Sequence, residues 1–70
     1  MWIPIATAHP RYVEVPPGSA ILLANASGVL GVGSVYGDDP ENGETWLIND
    51  AIYDGENVPT HWLLLPPVPT

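Results

Sequence analysis

The fold of this chain is decided by residues 20–36, AILLANASGVLGVGSVY. Apolar residues in this stretch recur closer to every second position than to every 3.6, and Val, Ile and Leu dominate it. The tripeptide Ala26-Ser27-Gly28 interrupts the pattern with residues that favour turns. We therefore predict two antiparallel strands, over residues 20–25 and 29–36, that form a hairpin at the centre of a sheet.

The second of these strands contains two glycines on one face. Gly31 and Gly33 alternate with Val29 and Val35, so the backbone is uncovered between two branched side chains. We expect an aromatic ring to lie in this flat spot. The chain has three Trp and no Phe, and we expect all three to be core residues, with one of them filling the spot.

Outside the central hairpin, nine prolines restrict helix to short pieces because each removes a backbone donor and disfavours helical conformation before it. Further strands are predicted over residues 2–5, 44–48, 51–53 and 60–65, with an extended segment over 11–15 and an exposed loop over 37–43. The predicted fold class is all-β: a small antiparallel meander sheet of four to five strands with at most a short helical turn. We expect a single compact β domain over residues 1–65 and a Pro-rich, polyproline-like C-terminal tail over 66–70.

Charge is strongly one-sided in this chain of 70 residues. Eight Asp and Glu face a single Arg, which gives a formal net charge of -7. Such a charge repels phosphate backbones and anionic membranes, so we expect no direct binding to nucleic acid or membrane and a basic macromolecular partner. The absence of Cys excludes disulfides and thiolate metal sites, which suits a reducing compartment. We therefore expect a soluble, cytoplasmic protein.

A domain of this length buries only about 60% of the surface of its unfolded chain, so its core is small. A homodimer would add buried area, and we therefore count a second copy among the expected partners. The composition, with 46% hydrophobic and 13% charged residues, is nevertheless that of a folded domain rather than of a disordered acidic tail.

Seven of the eight acids lie between residues 38 and 56, a window without Lys or Arg. One interpretation is a solvated face that keeps a small apolar protein soluble. The other is an anionic surface that binds a partner, since DNA carries about one negative charge per 1.7 Å of axis and clustered carboxylates offer similar charge to a basic groove. The candidate partner-binding residues are Asp38, Asp39, Glu41, Glu44, Asp50, Asp54 and Glu56.

We find no pattern that predicts catalysis, a metal or a cofactor. Pro40 occupies the third position of the acidic loop, where a calcium loop needs an oxygen ligand. His9 and His61 lie at opposite ends of the chain without ligand spacing, and no serine stands in a nucleophile-elbow sequence. We therefore predict that the protein is not an enzyme, with no catalytic residue, no metal ligand and no cofactor.

Both ends of the chain resemble a known family. Residues 2–10, WIPIATAHP, are similar to a W-x-P-I-x-T-A-P opening, residues 58–67, VPTHWLLLPP, to a T-H-W-x-P-L-P-x-P close, and residues 17–23, PGSAILL, to a D-G-x-x-I-L-L segment. These motifs characterise a small domain of unknown function common in phage and prophage genes. His9 is inserted in the opening here, Leu64 replaces a proline of the close, and Pro17 replaces the acid before Gly18. The resemblance implies a mobile-element origin and structural roles for Trp2 and Trp62, and it contributes no catalytic residue.

Charge and resemblance together favour an inhibitor of host defence. Our leading hypothesis is an acidic DNA mimic, anti-CRISPR-like or anti-restriction-like, that blocks the basic nucleic-acid-binding groove of a defence complex. A second hypothesis is an oligomeric sponge for a nucleotide immune signal, in which Arg11 from several chains binds phosphate and Trp or Tyr stacks on a base. A third is a non-enzymatic interaction module whose tail, residues 66–69, docks in an aromatic groove.

Overall fold

A computed structural model describes residues 1–41 and 43–66 as one open antiparallel sheet of six strands. The strands are β1 (Ile3–Pro4), β2 (Ala20–Asn25), β3 (Gly28–Asp39), β4 (Gly43–Ile48), β5 (Ala51–Tyr53) and β6 (His61–Leu65), and two 3-10 turns span Pro10–Tyr12 and Gly55–Asn57. Their order in the sheet is β1-β6-β2-β3-β4-β5. The all-β antiparallel class is confirmed, although the sheet has six strands instead of four to five. Strands β2 to β5 form a meander, whereas β6 returns to pair with β2.

The central hairpin forms as the alternation predicts, but β3 is longer than residues 29–36. Its first half pairs with β2, where Leu22 lies opposite Val32, and its second half pairs with β4, from Gly33 opposite Ile48 onward. The predicted exposed loop over residues 37–43 is therefore wrong in extent. Residues 37–39 continue β3, because pairing with β4 extends the ladder through them. The hydroxyl of Thr45 also donates to the Gly37 carbonyl oxygen at 3.0 Å.

Strands β4 and β5 are joined by a two-residue turn in which Asn49 and Asp50 have φ values of 50° and 65°. Positive φ at both central residues is the geometry of a type I′ hairpin turn, which Asn and Asp tolerate better than other non-glycine residues. The Asn49 backbone N–H donates to the Val32 carbonyl oxygen at 3.1 Å, and its side-chain amide donates to the Leu30 carbonyl oxygen at 3.2 Å. The turn is thereby tied to β3.

The flat spot on β3 is filled by β4 and the turn after it, so the prediction of a tryptophan there is wrong. A Cβ on Gly33 would overlap the carbonyl oxygen of Leu47, and one on Gly31 would overlap the side chain of Asn49. The glycines therefore allow backbone and amide groups to approach closely, a role that alternation alone does not distinguish from a platform for a ring.

The core lies on one face of the sheet and is built from four buried residues among those described: Leu23, Trp46, Ile48 and Trp62. Leu23 lies opposite Trp62 in the ladder, and the N-terminal segment covers this face. The Trp62 Nε1–H donates to the Ala8 carbonyl oxygen at 2.7 Å, and the His9 ring stacks on Trp46 with centroids 5.5 Å apart. Trp46 and Trp62 are core residues as predicted. Trp2 is 38% exposed and is not, because it precedes the two-residue β1 at the edge of the sheet.

The segment predicted as extended over residues 11–15 begins instead within a 3-10 turn, Pro10–Tyr12. His9 caps this turn, because its Nδ1 accepts a hydrogen bond from the Arg11 backbone N–H at 3.1 Å. Pro10 suits the first position of the turn, where its fixed φ is favourable and its missing N–H has no partner to lose. Val13 is extended, and no residue over 13–15 joins the sheet.

Candidate partner-binding surface

Four of the candidate acids meet where β3 passes into β4. Asp38 and Asp39 end β3, Glu41 lies in the connection, and Glu44 is the second residue of β4. Asp38 and Glu44 are directly opposite in the ladder. The Glu41 backbone N–H donates to Asp39 Oδ1 at 2.8 Å, which holds two of the acids close together. Like charges at such short range cost folding energy unless a cation lies between them.

Asp54, the residue that follows β5, joins this group. Trp46 pairs with Tyr53, so continuation of the register brings Asp54 level with Thr45. A cavity of about 530 Å³ is lined by Asp38, Asp39 and Asp54, with Tyr36, Gly37, Pro40, Thr45 and Ile52. We define the acidic end as Asp38, Asp39, Glu41, Glu44 and Asp54.

The other two candidate acids do not line this cavity. Asp50 is in the turn that follows β4, at the opposite end of that strand from Glu44. Glu56 lies in the second 3-10 turn. The structure therefore places three predicted residues, Asp38, Asp39 and Asp54, on one cavity, with Glu44 opposite Asp38 and Glu41 in the connection. Asp50 lies at the far end of β4, and Glu56 follows Asp54 by two residues.

The single arginine of the chain lies against the acidic end. Arg11 Nη1 is 3.7 Å from Glu44 Oε2 and 3.8 Å from Asp38 Oδ2. A hydrogen bond with Tyr12 and these two carboxylates raise the pKa of Arg11 above its usual value. Five carboxylates against one guanidinium leave four net negative charges at the acidic end. Asp38, whose side chain is 69% exposed, faces mainly solvent.

His9 is the second partner of Glu44 and was missed by sequence reasoning. Its Nε2 is 2.6 Å from Glu44 Oε1. Because its Nδ1 accepts from the Arg11 N–H, the neutral ring carries its proton on Nε2 and donates it to the carboxylate. The two residues are 35 positions apart, and no local pattern links them. The contact depends on the N-terminal segment folding back over the sheet.

The His9 contacts should have a measurable effect on stability. We expect His9→Ala to lower the free energy of unfolding by about 1–2 kcal/mol, since the substitution removes a hydrogen bond to a carboxylate, the cap of the 3-10 turn and the stack on Trp46. Urea denaturation monitored by circular dichroism measures the change.

The matched control for this prediction is His61→Ala. His61 is exposed, and its Nδ1 contacts only the hydroxyl of the adjacent Thr60 among the side-chain hydrogen bonds of the described residues. We expect its replacement to change stability by less than about 0.5 kcal/mol. Equal losses in the two variants would show that the bond between His9 and Glu44 contributes nothing.

A smaller cavity of about 270 Å³ bears on the nucleotide-sponge hypothesis, because its lining includes Arg11, Tyr36 and Trp46. These are the residue types that would bind a phosphate and stack on a base. Asp38 and Glu44 lie within 4 Å of the guanidinium, however, and would face an incoming phosphate with like charge. A phosphate bound at Arg11 would therefore have to displace these two carboxylates.

Within residues 1–41 and 43–66, no group of three or more His, Asp or Glu residues is placed to hold a metal ion. The same part of the chain contains no helix with the length and hydropathy required to cross a membrane. The predicted tail beyond Pro66 lies outside the described residues.

No protein-family model, curated protein or solved structure matches this chain. The resemblance to a phage domain, carried by the residues around Trp2 and Trp62, stays a prediction.

Proposed function

We propose that this protein inhibits a host defence complex by occupying its basic nucleic-acid-binding groove as an acidic mimic of DNA. The observation that carries the proposal is the acidic end itself. Five carboxylates from two strands, their connection and a neighbouring loop share one region that holds a single cation. A groove lined by Lys and Arg is the complementary partner for such a surface.

The acidic end also offers apolar contact area. Tyr36 is 67% exposed and Ile52 is 52% exposed, and both line the cavity that contains Asp38, Asp39 and Asp54. Protein interfaces are strongest where an aromatic side chain is surrounded by a polar rim, and an exposed tyrosine ring can also stack on a guanidinium. This arrangement supports binding to a protein groove over a purely solubilising role for the carboxylates.

The defence role rests on a separate argument. The resemblance to a phage and prophage domain suggests a mobile-element origin, and acidic inhibitors from such elements act on nucleic-acid-binding complexes. This part of the proposal is an analogy and does not follow from the geometry. Binding of the acidic end to a basic groove and the choice of a defence complex as the target are therefore separate statements, and one can be wrong while the other holds.

Competition with DNA tests the proposal. The protein is added to an RNA-guided nuclease complex and, separately, to a restriction enzyme, each with labelled duplex DNA, and DNA binding is measured at 50 mM and 200 mM salt. We expect inhibition of at least one complex, weaker by about tenfold or more at the higher salt because the contact is electrostatic. The variant Asp38→Asn/Asp39→Asn/Glu41→Gln, which removes three carboxylates and preserves side-chain shape, should inhibit at least about tenfold less.

The control is Asp50→Asn, which neutralises the acid in the turn at the far end of β4 by the same chemistry. It should inhibit like the unmodified protein apart from a small effect of net charge. Equal inhibition by the triple variant and the unmodified protein would reject the acidic end as the binding surface. Absence of inhibition of both complexes at 50 mM salt would reject the DNA-mimic function.

A further inference from the structure

The single arginine of the chain lies within ion-pair distance of two carboxylates of the acidic end. Arg11 Nη1 is 3.7 Å from Glu44 Oε2 and 3.8 Å from Asp38 Oδ2. A charge-assisted hydrogen bond between such groups measures about 2.7–2.9 Å, so these two contacts are longer-range ion pairs. The side chain of Arg11 is 33% exposed. A cation held in this way can leave without breaking a short hydrogen bond to either carboxylate.

The backbone that carries Arg11 is fixed by other contacts. Pro10 is buried, and His9 Nδ1 accepts a hydrogen bond from the Arg11 N–H. The His9 ring also contacts Glu44 through Nε2 and stacks on Trp46. None of these contacts involves the guanidinium. The folded chain therefore presents Arg11 to its own carboxylates at a high effective concentration, while the flexible side chain keeps the freedom to move away from them.

We propose that Arg11 is an autoinhibitory contact, which in the free protein occupies the position that a Lys or Arg of the basic partner takes in the complex. This role rests on the proposed function, because it concerns the same carboxylates. A partner cation must either displace Arg11 or bind beside a like charge, and either route weakens association. A weakly basic protein then fails to compete, whereas a groove with many cations succeeds. Arg11 thus restricts the acidic end to strongly basic partners.

The two carboxylates near Arg11 differ in how easily a partner can reach them. The side chain of Asp38 is 69% exposed, whereas that of Glu44 is 26% exposed and is also bonded to His9 at 2.6 Å. Ion pairs between exposed groups are weak, so one cation readily replaces another at Asp38. We therefore expect a partner cation to displace Arg11 from Asp38, while Glu44 keeps its bond to His9.

A purely structural role for Arg11 predicts a different outcome. Asp38 and Glu44 lie opposite each other in the ladder, and a cation near both offsets their repulsion. If Arg11 served only this purpose, its loss would lower stability, and the affinity of the acidic end for cations would depend on net charge alone. A comparison of variants with equal net charge separates the two roles.

Binding of a fluorescent oligolysine peptide of about eight residues, followed by anisotropy at 50 mM and 200 mM salt, tests the proposal. We expect Arg11→Gln to bind the peptide about three- to tenfold more tightly at 50 mM salt, with a smaller gain at 200 mM. This substitution keeps the backbone N–H that donates to His9. Arg11→Lys, which retains a cation, should bind like the unmodified protein.

The matched control is Ser27→Asp, which makes the net charge more negative by the same single unit as Arg11→Gln. Ser27 is exposed in the turn before β3, about 33 Å of strand from Asp38 and so several Debye lengths away. Because its charge is screened from the acidic end, this variant should bind the peptide within about twofold of the unmodified protein.

Equal affinities of Arg11→Gln and Ser27→Asp would overturn the proposal, as would weaker binding by Arg11→Gln. If Arg11→Gln does not fold, as judged by circular dichroism, nuclear magnetic resonance of the unmodified protein replaces it. The single arginine gives one Nε–H signal, which should shift on addition of the peptide, and an unchanged signal at saturation would overturn the proposal too. Absence of peptide binding by every variant at 50 mM salt would reject the acidic end as a cation-binding surface, and the proposed function with it.

Discussion

Replacing Trp62 by Ala is expected to lower the free energy of unfolding by about 3–5 kcal/mol. A chain of 70 residues has a total stability of only about 4–10 kcal/mol at the usual value per residue, so a large fraction of the variant should be unfolded at 25 °C. Trp62 is 2% exposed and packs in the core beside Leu23 and Trp46. Its Nε1–H also donates a hydrogen bond to the Ala8 carbonyl oxygen, so the substitution removes a contact that fixes the N-terminal segment over the core.

Two further variants separate these contributions. Trp62→Phe keeps a ring but loses the N–H donor, and we expect a smaller loss of about 1–2 kcal/mol. Trp2→Ala serves as the control because Trp2 is 38% exposed and lies outside the buried cluster. Its effect should stay near 1 kcal/mol. Urea titration by far-ultraviolet circular dichroism measures all three, and equal losses for Trp2→Ala and Trp62→Ala would contradict the structural role assigned to Trp62.

Replacing Gly33 by Ala should be nearly as damaging, at about 3 kcal/mol or more. A Cβ at this position would overlap the Leu47 carbonyl oxygen and would lie 2.7 Å from the Ile48 Cα. Both are backbone atoms of β4, so relief requires β3 and β4 to separate where Gly33 pairs with Ile48. Overpacking in a well-packed core costs about 1–3 kcal/mol even where side chains can adjust. A clash with backbone atoms is harder to relieve, because the whole strand has to move.

Gly37→Ala is the control for this prediction, because it makes the same substitution on the same strand. The atom nearest to its Cβ would be Thr45 Oγ1 at 3.8 Å, an ordinary contact. We expect no loss larger than about 0.5 kcal/mol, and a gain is reasonable because Ala restricts the unfolded chain. Thermal melts of the two variants give the comparison. Similar melting temperatures would mean that the close approach at Gly33 is absent in solution.

The strands are the part of this fold that sequence reasoning predicts well. The bounds of β2 and β5 agree with the expectation, and those of β4 and β6 differ by one residue at one end. Alternating branched residues between strong turn formers are local signals, so they can be recognised without knowledge of the partner strand. The length of β3 is different, because Gly37 and Asp39 favour loops by composition and become strand only through pairing with β4.

Around the acidic end, too, some features are predictable from local sequence and others depend on contacts with distant segments. Clustering of acids along the chain indicates an anionic region; Asp38, Asp39 and Asp54 line one cavity, and Glu44 lies opposite Asp38 in the ladder. Asp50 is excluded because it lies at the opposite end of β4 from Glu44, whereas Glu56 follows Asp54 by two residues and does not line the cavity. The contacts of His9 and Arg11 with Glu44 were not predictable, since they join the N-terminal segment to β4 across more than thirty residues.

By itself, the sequence determined the all-β class, the positions of most strands and the one-sided charge, since these depend on residue types and on spacings of a few residues. Only the tertiary structure decided which strands pair, why Gly33 must lack a side chain, and which carboxylates face one another. Those features arise when distant segments pack together: β6 returns beside β2, and the N-terminal segment folds over the core. Pairing and packing energies depend on partners far along the chain, and no local pattern encodes them.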